Sequence, residues 1–459
     1  MEKTKRKNGV SPYLIVILSL VGVILTGTLL LSLPFAHKDG NWGNFLDSLF
    51  ISTSATCVTG LSTYVKGIGG ELTTFGQVVV LVMIQIGGLG FVTILTFIIA
   101  LFIKRLKFRD RLFLSQAINS TSIAQVGKFA IRVVIIVVIA ETIGFLLGIP
   151  VFLQMPDTTV PLALWRSLFI SVSAFNNAGF DIFGATSLIR GAGNTLIDSL
   201  SSGMYYYLLS YIMILIILGG LSFVVIIDFT FLHKKPRQLN AFTKMVLLTT
   251  GVLLVVGFAS FCLTDCINGT ITPFDALFQS VTTRTAGFAS FDQDLMSTSG
   301  KTISCLLMFI GGSPISTAGG IKTTTLFIII LAFVRFIQGK KIGAFKRDFS
   351  DSSILKAMSL VFLAVLIIIV SFLIVNGLES GKPGATTENV LFEVFSAFGT
   401  VGLTANLTTS LTVGSRIVII ILMFFGRLGP ITLFQVFENG IEKEEDKHYQ
   451  NLKTDIIIG

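Results

Sequence analysis

Four short strings in this chain share a design that could bind a cation without any charged ligand. They read Ala55-Thr-Cys-Val-Thr-Gly60-Leu61, Ala174-Phe-Asn-Asn-Ala-Gly179-Phe180, Thr282-Thr-Arg-Thr-Ala-Gly287-Phe288 and Ala397-Phe-Gly-Thr-Val-Gly402-Leu403. Their glycines are separated by 119, 108 and 115 residues, the signature of an internal repeat. Such a string offers its backbone, because a ring of carbonyl oxygens can replace the hydration shell of a monovalent cation. Glycine at the end of the string permits φ values that a β-carbon disfavours and lets the chain approach an ion closely. The candidate liganding stretches are Cys57, Val58, Thr59 and Gly60; Asn176, Asn177, Ala178 and Gly179; Arg284, Thr285, Ala286 and Gly287; and Gly399, Thr400, Val401 and Gly402. One such glycine alone would read as a helix-packing contact. Four in register, each followed by a large apolar residue, read as a pore.

Other chemistries find no support. The three histidines (His37, His233, His448) are far apart, and Cys57, Cys262, Cys266 and Cys305 lack metal-ligand spacing, so neither zinc nor a disulfide framework is expected. No clustered nucleophile or acid–base pair suggests an enzyme. Gly87-Gly-Leu-Gly90 resembles part of a dinucleotide fingerprint, but it lies in an apolar run and is discarded. The sequence shows no nucleotide-binding motif and implies no organic cofactor.

The elements that must position the strings follow from composition. Of 459 residues, 52% are hydrophobic and 13% charged, about half the charge a soluble surface needs. Runs long enough to cross a ~30 Å hydrocarbon core lie at 13–33, 77–103, 129–153, 205–232, 243–263, 304–335, 354–376 and 415–437. The first is read as a membrane helix rather than a signal peptide, since it lacks a small-residue cleavage site. Between the members of successive pairs lie half-apolar segments at 44–56, 162–175, 273–283 and 388–398, too short to span and suited to re-entrant half-helices. Each is expected to dip into the bilayer and return as an extended strand.

Orientation follows from lysine and arginine. One set of loops carries Lys3, Lys5, Arg6 and Lys7; Lys104, Arg105, Lys107, Arg109 and Arg111; Lys234, Lys235 and Arg237; and Lys340, Lys341, Lys346 and Arg347. The opposite set holds only Lys38 and Lys66; Arg166 and Arg190; Lys301; and Lys382 and Arg416. The rich loops and both termini are therefore expected in the cytoplasm. The net charge of +9 belongs to this alternation and does not indicate nucleic acid. Two spanning helices per unit return the chain to its starting side, so the four units are parallel. The short helices descend from outside and aim their partially negative C-terminal ends at the axis, which favours a cation. A second echo follows each string: Ile86-Gly-Gly-Leu89, Leu218-Gly-Gly-Leu221, Ile310-Gly-Gly-Ser313 and Phe425-Gly-Arg-Leu428.

The fold expected is an all-α integral membrane protein. It has four parallel helix–pore-loop–helix repeats in pseudo-fourfold symmetry, with eight transmembrane helices and four re-entrant pore helices. Repeat boundaries fall at 1–110, 111–240, 241–350 and 351–437, followed by a cytoplasmic tail at 438–459. In the third repeat, the span is interrupted by Gly311, Gly312, Ser313, Pro314, Ile315, Ser316, Thr317, Ala318, Gly319 and Gly320. Proline removes a backbone donor and glycine weakens a helix, so an unwound stretch just below the pore loops is expected. Arg427 replaces the second glycine of the echo in the last span, where a charge is costly unless it faces protein or water. It is expected to project into the cavity under the loops and bond the carbonyls of the unwound stretch. Arg284 is expected to point behind its string, and Lys322 to pair with polar groups near the stretch. Glu141 reads as a buried acid paired with a neighbouring helix or as an ion ligand; Asn176 and Asn177 read as braces or as ligands.

The four strings resemble the pore loops of the Trk/Ktr/HKT superfamily of potassium transporters, and the compact length is most like the membrane subunit of bacterial Ktr systems, the KtrB/KtrD type. The resemblance covers the chain from the first helix to about Val436. It implies one filter glycine per loop (Gly60, Gly179, Gly287 and Gly402), K+ as the permeant ion, and sodium dependence as a property of the family. It also implies that the interrupted stretch is a gating loop, although Ile315 stands where the family often has glycine. It further implies a homodimer in the bacterial cytoplasmic membrane above a cytosolic nucleotide-binding subunit of KtrA type. Membrane lipid is the other partner that the basic loops suit. The rival function is a secondary cation symporter with alternating access, which inverted rather than parallel repeats would favour.

Overall fold

The structure, a computed structural model, describes residues 12–90, 126–156, 158–184, 187–232, 239–345 and 347–429. The basic runs at 3–7, 104–111 and 234–237, the distal part of the second expected span (91–103), the end of the last (430–437) and the acidic tail lie outside the described residues.

Within them the chain is nearly all helical, with one two-residue antiparallel pairing between Gly343–Ala344 and Arg347–Asp348. The first unit holds α1 (Pro12–Ser32), α2 (Phe45–Thr56) and α3 (Thr74–Leu89). The second holds α4 (Val126–Phe152), α5 (Val160–Phe175), α6 (Ser202–Gly220) and α7 (Phe223–Leu232). The third holds α8 (Ala241–Phe261), α9 (Pro273–Thr282), α10 (Thr298–Phe309) and α11 (Thr323–Ile337). The fourth holds α12 (Asp351–Glu379), α13 (Thr387–Gly399) and α14 (Val413–Leu428).

The short helices α2, α5, α9 and α13 start where their sequences provide caps. Asn44 accepts from Leu46 N, Thr386 accepts from Asn389 N, and Thr272 forms a capping box with Asp275. Asp47, Asp275 and Glu388 occupy first turns, where the helix's positive end stabilises them. α5 lacks a side-chain cap and has Pro161 in its first turn instead. These helices form the buried centre: Phe50, Phe169, Phe278 and Phe392, one from each, are fully buried. The long helices do the reverse. α12 leaves Leu355, Phe362, Leu366 and Leu373 exposed, a face that water would penalise and hydrocarbon accepts.

Packing between units is cyclic. α3 packs on α5, α6 on α9, α10 on α13, and α14 returns to α2. Each short helix thus sits against the second helix of the preceding unit, and the chain closes on itself.

The eight expected spans are described in part. Among the described residues, five helices are long and apolar enough to cross a membrane, within α1, α4, α6, α8 and α12. Four of the expected runs end or break near their glycines. α3 ends at Gly90 (φ 76°) and α14 at Gly429 (φ 75°). The expected helix at 205–232 is two, α6 and α7, broken at Leu221–Ser222. The third unit breaks between Phe309 and Thr323, a longer interruption than the one at Leu221–Ser222. The physical reason at Leu221–Ser222 is that a remote segment takes the freed carbonyls: Ser313 N donates to Gly220 O at 3.1 Å and Thr317 N to Gly219 O at 3.3 Å.

Candidate cation-conducting site

After each short helix the backbone alternates in handedness. Val58, Asn177, Thr285 and Thr400 have positive φ (57°, 59°, 74° and 50°), and so do Gly60, Gly179, Gly287 and Gly402 (103°, 68°, 80° and 94°). The residues between them, Thr59, Ala178, Ala286 and Val401, do not. This corrects the extended strand expected from sequence, in which successive carbonyls would point to opposite sides. Alternating handedness turns consecutive carbonyls to one side and N–H groups to the other. The N–H groups face back toward the short helices. Thr59 N, Ala178 N and Val401 N donate to Ser54 O, Ser173 O and Ser396 O, each at 2.8 Å, and Ala286 N donates to Thr282 O at 2.9 Å. Gly60 N and Gly402 N donate to the hydroxyls of Ser54 and Ser396, both at 3.1 Å. The hydroxyls of Ser173 and Thr282 instead donate to Phe180 O (2.6 Å) and Phe288 O (2.7 Å). The carbonyls are left facing the opposite way.

There the four loops meet. A methyl added at Gly60 would lie 2.6 Å from Ala178 O, and one at Gly179 would lie 2.6 Å from Ala286 O. Methyls at Gly287 and Gly402 would press on Val401 O and Thr59 O. The glycines therefore form a closed ring in chain order, each facing the carbonyl of the next loop. Holding Val58 and three other non-glycine residues left-handed costs about 1–3 kcal/mol each, a strain the surrounding hydrogen bonds must over-determine.

The remaining residues of the expected liganding stretches lie elsewhere. Cys57 and Asn176 cap α2 and α5, Gly399 ends α13, and Arg284 is the second residue after α9. Asn176 Nδ2 donates to Glu141 Oε1 (2.8 Å) and Gln85 Oε1 (3.0 Å), while Gln85 Nε2 donates to Glu141 Oε2 (3.2 Å). Of the two readings of Glu141, this geometry matches the paired acid. Asn177, with its amide turned so that nitrogen meets acceptors, reaches Ile216 O at 3.1 Å and Ala174 O at 3.2 Å, a brace rather than a ligand. Arg284 is buried and turns away from the ring toward Gly311 O, at 3.4 Å.

Beneath the ring runs the interrupted segment between α10 and α11. Its backbone is satisfied by Gly311 N to Ile321 O (2.8 Å), Ile321 N to Phe309 O (3.2 Å) and Thr323 N to Gly312 O (3.1 Å). Ser313 is fully buried and precedes a turn at Pro314–Ile315, where Phe223 N donates to Ile315 O at 2.9 Å. Ile315 is left-handed (φ 55°), a conformation that a β-branched residue adopts only under strain. Ala318 and Gly319 offer carbonyls to Lys322 Nζ (2.7 and 3.4 Å), and Gly320 is left-handed. Arg427 spans two units. Its Nη1 donates to Thr317 O, and its Nη2 donates to Gly87 O and, at 3.3 Å, to Gly88 O. The echo glycines explain how helices reach this depth: methyls at Gly87, Gly219 and Gly426 would collide with Thr56 O, Phe175 O and Phe398 O, the ends of three short helices. In the third unit the corresponding Gly311 abuts Gly319 O instead.

Outside the ring lies a cavity of about 280 Å³ lined by all four glycines. The second residue after each glycine, Ser62, Asp181, Ala289 and Thr404, also lines it. Asp181 accepts from Phe183 N at 2.9 Å and from the Ser187 hydroxyl. Burial pushes its carboxyl up to about 6, with those two bonds opposing the shift. Sequence reading missed three things here: the left-handed residues, the serine and threonine acceptors behind the loops, and Asp181. Only the hydroxyls left a signal, as Ser54, Ser173 and Ser396 each stand six residues before a glycine.

A family model described as TrkH, cation transport protein, matches residues 4–448. The potassium/sodium uptake protein NtpJ of Enterococcus hirae is 36% identical over 100% of this chain and 99% of its own length. The Ktr system potassium uptake protein B of Vibrio alginolyticus is 34% identical, with 91% and 90% covered, and the Ktr system potassium uptake protein D of Bacillus subtilis is 31% identical, with 98% and 97% covered. Among solved structures, the potassium transporter TrkH of Vibrio parahaemolyticus superposes with a TM-score of 0.67 over 95% of this chain and 86% of that one; at 17% identity it speaks for the fold alone. With a family model matched along nearly its whole length, the chain belongs to the TrkH family of cation transport proteins.

Proposed function

We propose that this chain is the ion-conducting membrane subunit of a potassium uptake system. The observation that carries this reading is the closed ring in which four left-handed glycines each face the carbonyl of the next loop. A ring of inward carbonyls replaces the hydration shell of K+ and needs no fixed charge in the loop. The names of the E. hirae, V. alginolyticus and B. subtilis relatives support potassium as the ion, and the first of them supports sodium as a second one. The cyclic packing of α3, α6, α10 and α14 on successive short helices supports four parallel repeats around a pseudo-fourfold axis, with boundaries near 110, 240 and 350 and two crossings per repeat. In this reading Gly311–Gly320 is the gate, and Arg427 latches it by tying Thr317 O to the Gly87–Gly88 carbonyls. The Ktr system names of two relatives support a partner subunit. We assign it as a cytosolic nucleotide-binding chain of KtrA type below a homodimer, in a bacterial cytoplasmic membrane with both termini inside.

The test is rubidium and sodium influx into proteoliposomes holding this chain, against a Gly287→Ser variant. The reading expects selective rubidium entry that the variant loses. Equal rubidium and sodium entry in both proteins, each well folded, would sink it.

A further inference from the structure

The ring of residues two places beyond the glycines is chemically uneven. Ser62, Asp181, Ala289 and Thr404 occupy equivalent places on the wall of the outer cavity, and only Asp181 carries charge. The Ser62 hydroxyl accepts from Tyr64 N at 3.2 Å, and that of Thr404 donates to Glu393 Oε2 at 2.8 Å, so both are engaged away from an arriving ion. Asp181 is held by a backbone N–H and a hydroxyl, neither of which neutralises it. The ion pairs among the described residues, Lys301–Asp294, Lys382–Glu379 and Arg416–Asp47, involve no residue lining this cavity. Among the described residues the lining contains no lysine or arginine, and its other carboxylate, Asp292, accepts from Asn406 Nδ2 (2.9 Å) and Asp294 N (3.0 Å) and stands five residues past Gly287, whereas Asp181 stands two past Gly179. Asp181 is therefore the charge closest in sequence to the glycine ring, in a narrow cavity whose low-dielectric walls concentrate its field.

Resting on the reading of the ring as a cation filter, we infer that Asp181 is the capture residue of the outer mouth, where its carboxylate concentrates monovalent cations and sets the half-saturation of uptake. It positions a still-hydrated ion ahead of the ring and leaves the choice between ions to the carbonyls. Its effect is on arrival, so it acts at low cation concentration and disappears at saturation. Because it acts through a field, it is screened as the Debye length shrinks from ~30 Å at 0.01 M to less than 10 Å above 0.15 M.

The experiment measures rubidium influx into proteoliposomes against rubidium concentration, at about 0.01 M and about 0.3 M ionic strength set with a large impermeant organic cation. Asp181→Asn keeps an acceptor for Phe183 N and removes the charge. It should raise the half-saturation about three- to tenfold at low ionic strength and less than about twofold at high, leaving maximal flux and the rubidium-to-sodium ratio unchanged. Ser187→Ala removes a bond from Asp181 and keeps its charge, so its half-saturation should match the wild type. Ala289→Asp leaves Asp181 and its bonds in place and adds a second charge to the same ring, so it should lower the half-saturation at low ionic strength. That variant keeps the inference testable if Asp181→Asn fails to fold. An unchanged half-saturation in Asp181→Asn, an equal rise at both ionic strengths, or no effect of Ala289→Asp would overturn the inference with the filter reading intact. Absence of selective rubidium entry in the wild type would instead overturn the filter reading, and this inference with it.

Discussion

Substituting Gly179 with alanine separates close approach from backbone freedom. At φ 68° an alanine pays about 1–2 kcal/mol for the left-handed conformation, wherever it occurs. At this position its methyl also meets Ala286 O at 2.6 Å and Gly287 Cα at 2.9 Å, both backbone atoms of the neighbouring loop. Ordinary carbon–oxygen contacts begin about half an ångström farther out, so the Ala286 carbonyl must recede by roughly that much. A carbonyl displaced by this distance no longer matches the ion size that the other carbonyls select. Losing 1.4 kcal/mol of discrimination is a factor of ten, so the rubidium-to-sodium influx ratio should fall at least about tenfold. Gly191 provides the control, because it has φ 79° and open space around it. Gly191→Ala pays the same backbone strain and touches nothing, so it should lose about 1–2 kcal/mol of stability and keep the wild-type influx ratio. The assay is paired rubidium and sodium influx, with thermal unfolding in detergent to report strain. A folded Gly179→Ala protein with the wild-type ratio would refute the reasoning.

Three further outcomes follow from the same geometry. Arg427→Gln removes charge-assisted bonds to Thr317 O, Gly87 O and Gly88 O, each worth about 1.5–3 kcal/mol, and should raise rubidium leak through the chain alone at least about tenfold; an unchanged leak counts against a latch. Lowering external pH from 7.5 to 5.5 carries Asp181 through about 6 and leaves roughly a quarter of it ionised, so uptake at sub-saturating rubidium should fall in that window and Asp181→Asn should not respond. Glu141→Ala strips the acceptors from Asn176 and Gln85 and should lower the influx ratio severalfold, whereas Glu141→Gln, which still accepts from Asn176, should retain most of it; equal ratios in the two variants would show that the clamp does not position the second loop.

What the sequence makes legible here is what membrane physics forbids elsewhere. Gly60, Gly179, Gly287 and Gly402 are readable because four left-handed close approaches leave no other residue type available. Arg427 is readable because an arginine at that depth is costly unless it has partners. The left-handed Val58, Thr285 and Thr400 are not readable, since β-branched residues suggest extended chain and only the assembled ring pays for their strain. Nor is the break between α6 and α7. Gly219-Gly220 in an apolar run looks like a packing motif, and its carbonyls are freed only because Ser313 N and Thr317 N, more than 90 residues away, arrive to take them. Asp181 reads as an ordinary loop acid until the fold places it on the same cavity wall as Ser62, Ala289 and Thr404.

The interrupted segment shows why its neighbours break as well. Non-helical backbone at this depth must find partners in protein, and the segment finds them in every other unit. The second unit supplies Gly219 O and Gly220 O and takes Ile315 O through Phe223 N. The fourth supplies Arg427, and its Thr400 side chain abuts Gly319 so closely that a methyl there would collide. The first joins through the Gly87 and Gly88 carbonyls on the far side of the same guanidinium. The segment is therefore the joint satisfaction of open ends in three units, each ended by its own glycine. Displacing any one helix end strands donors or acceptors in the others, at a cost of about 1–3 kcal/mol per buried group. A helix continued through Leu221–Ser222 would reclaim Gly219 O and Gly220 O for itself and leave Ser313 N and Thr317 N unpaired. The short break in the second unit and the long one in the third are thus a single structural feature, and a change in one has to appear in the other.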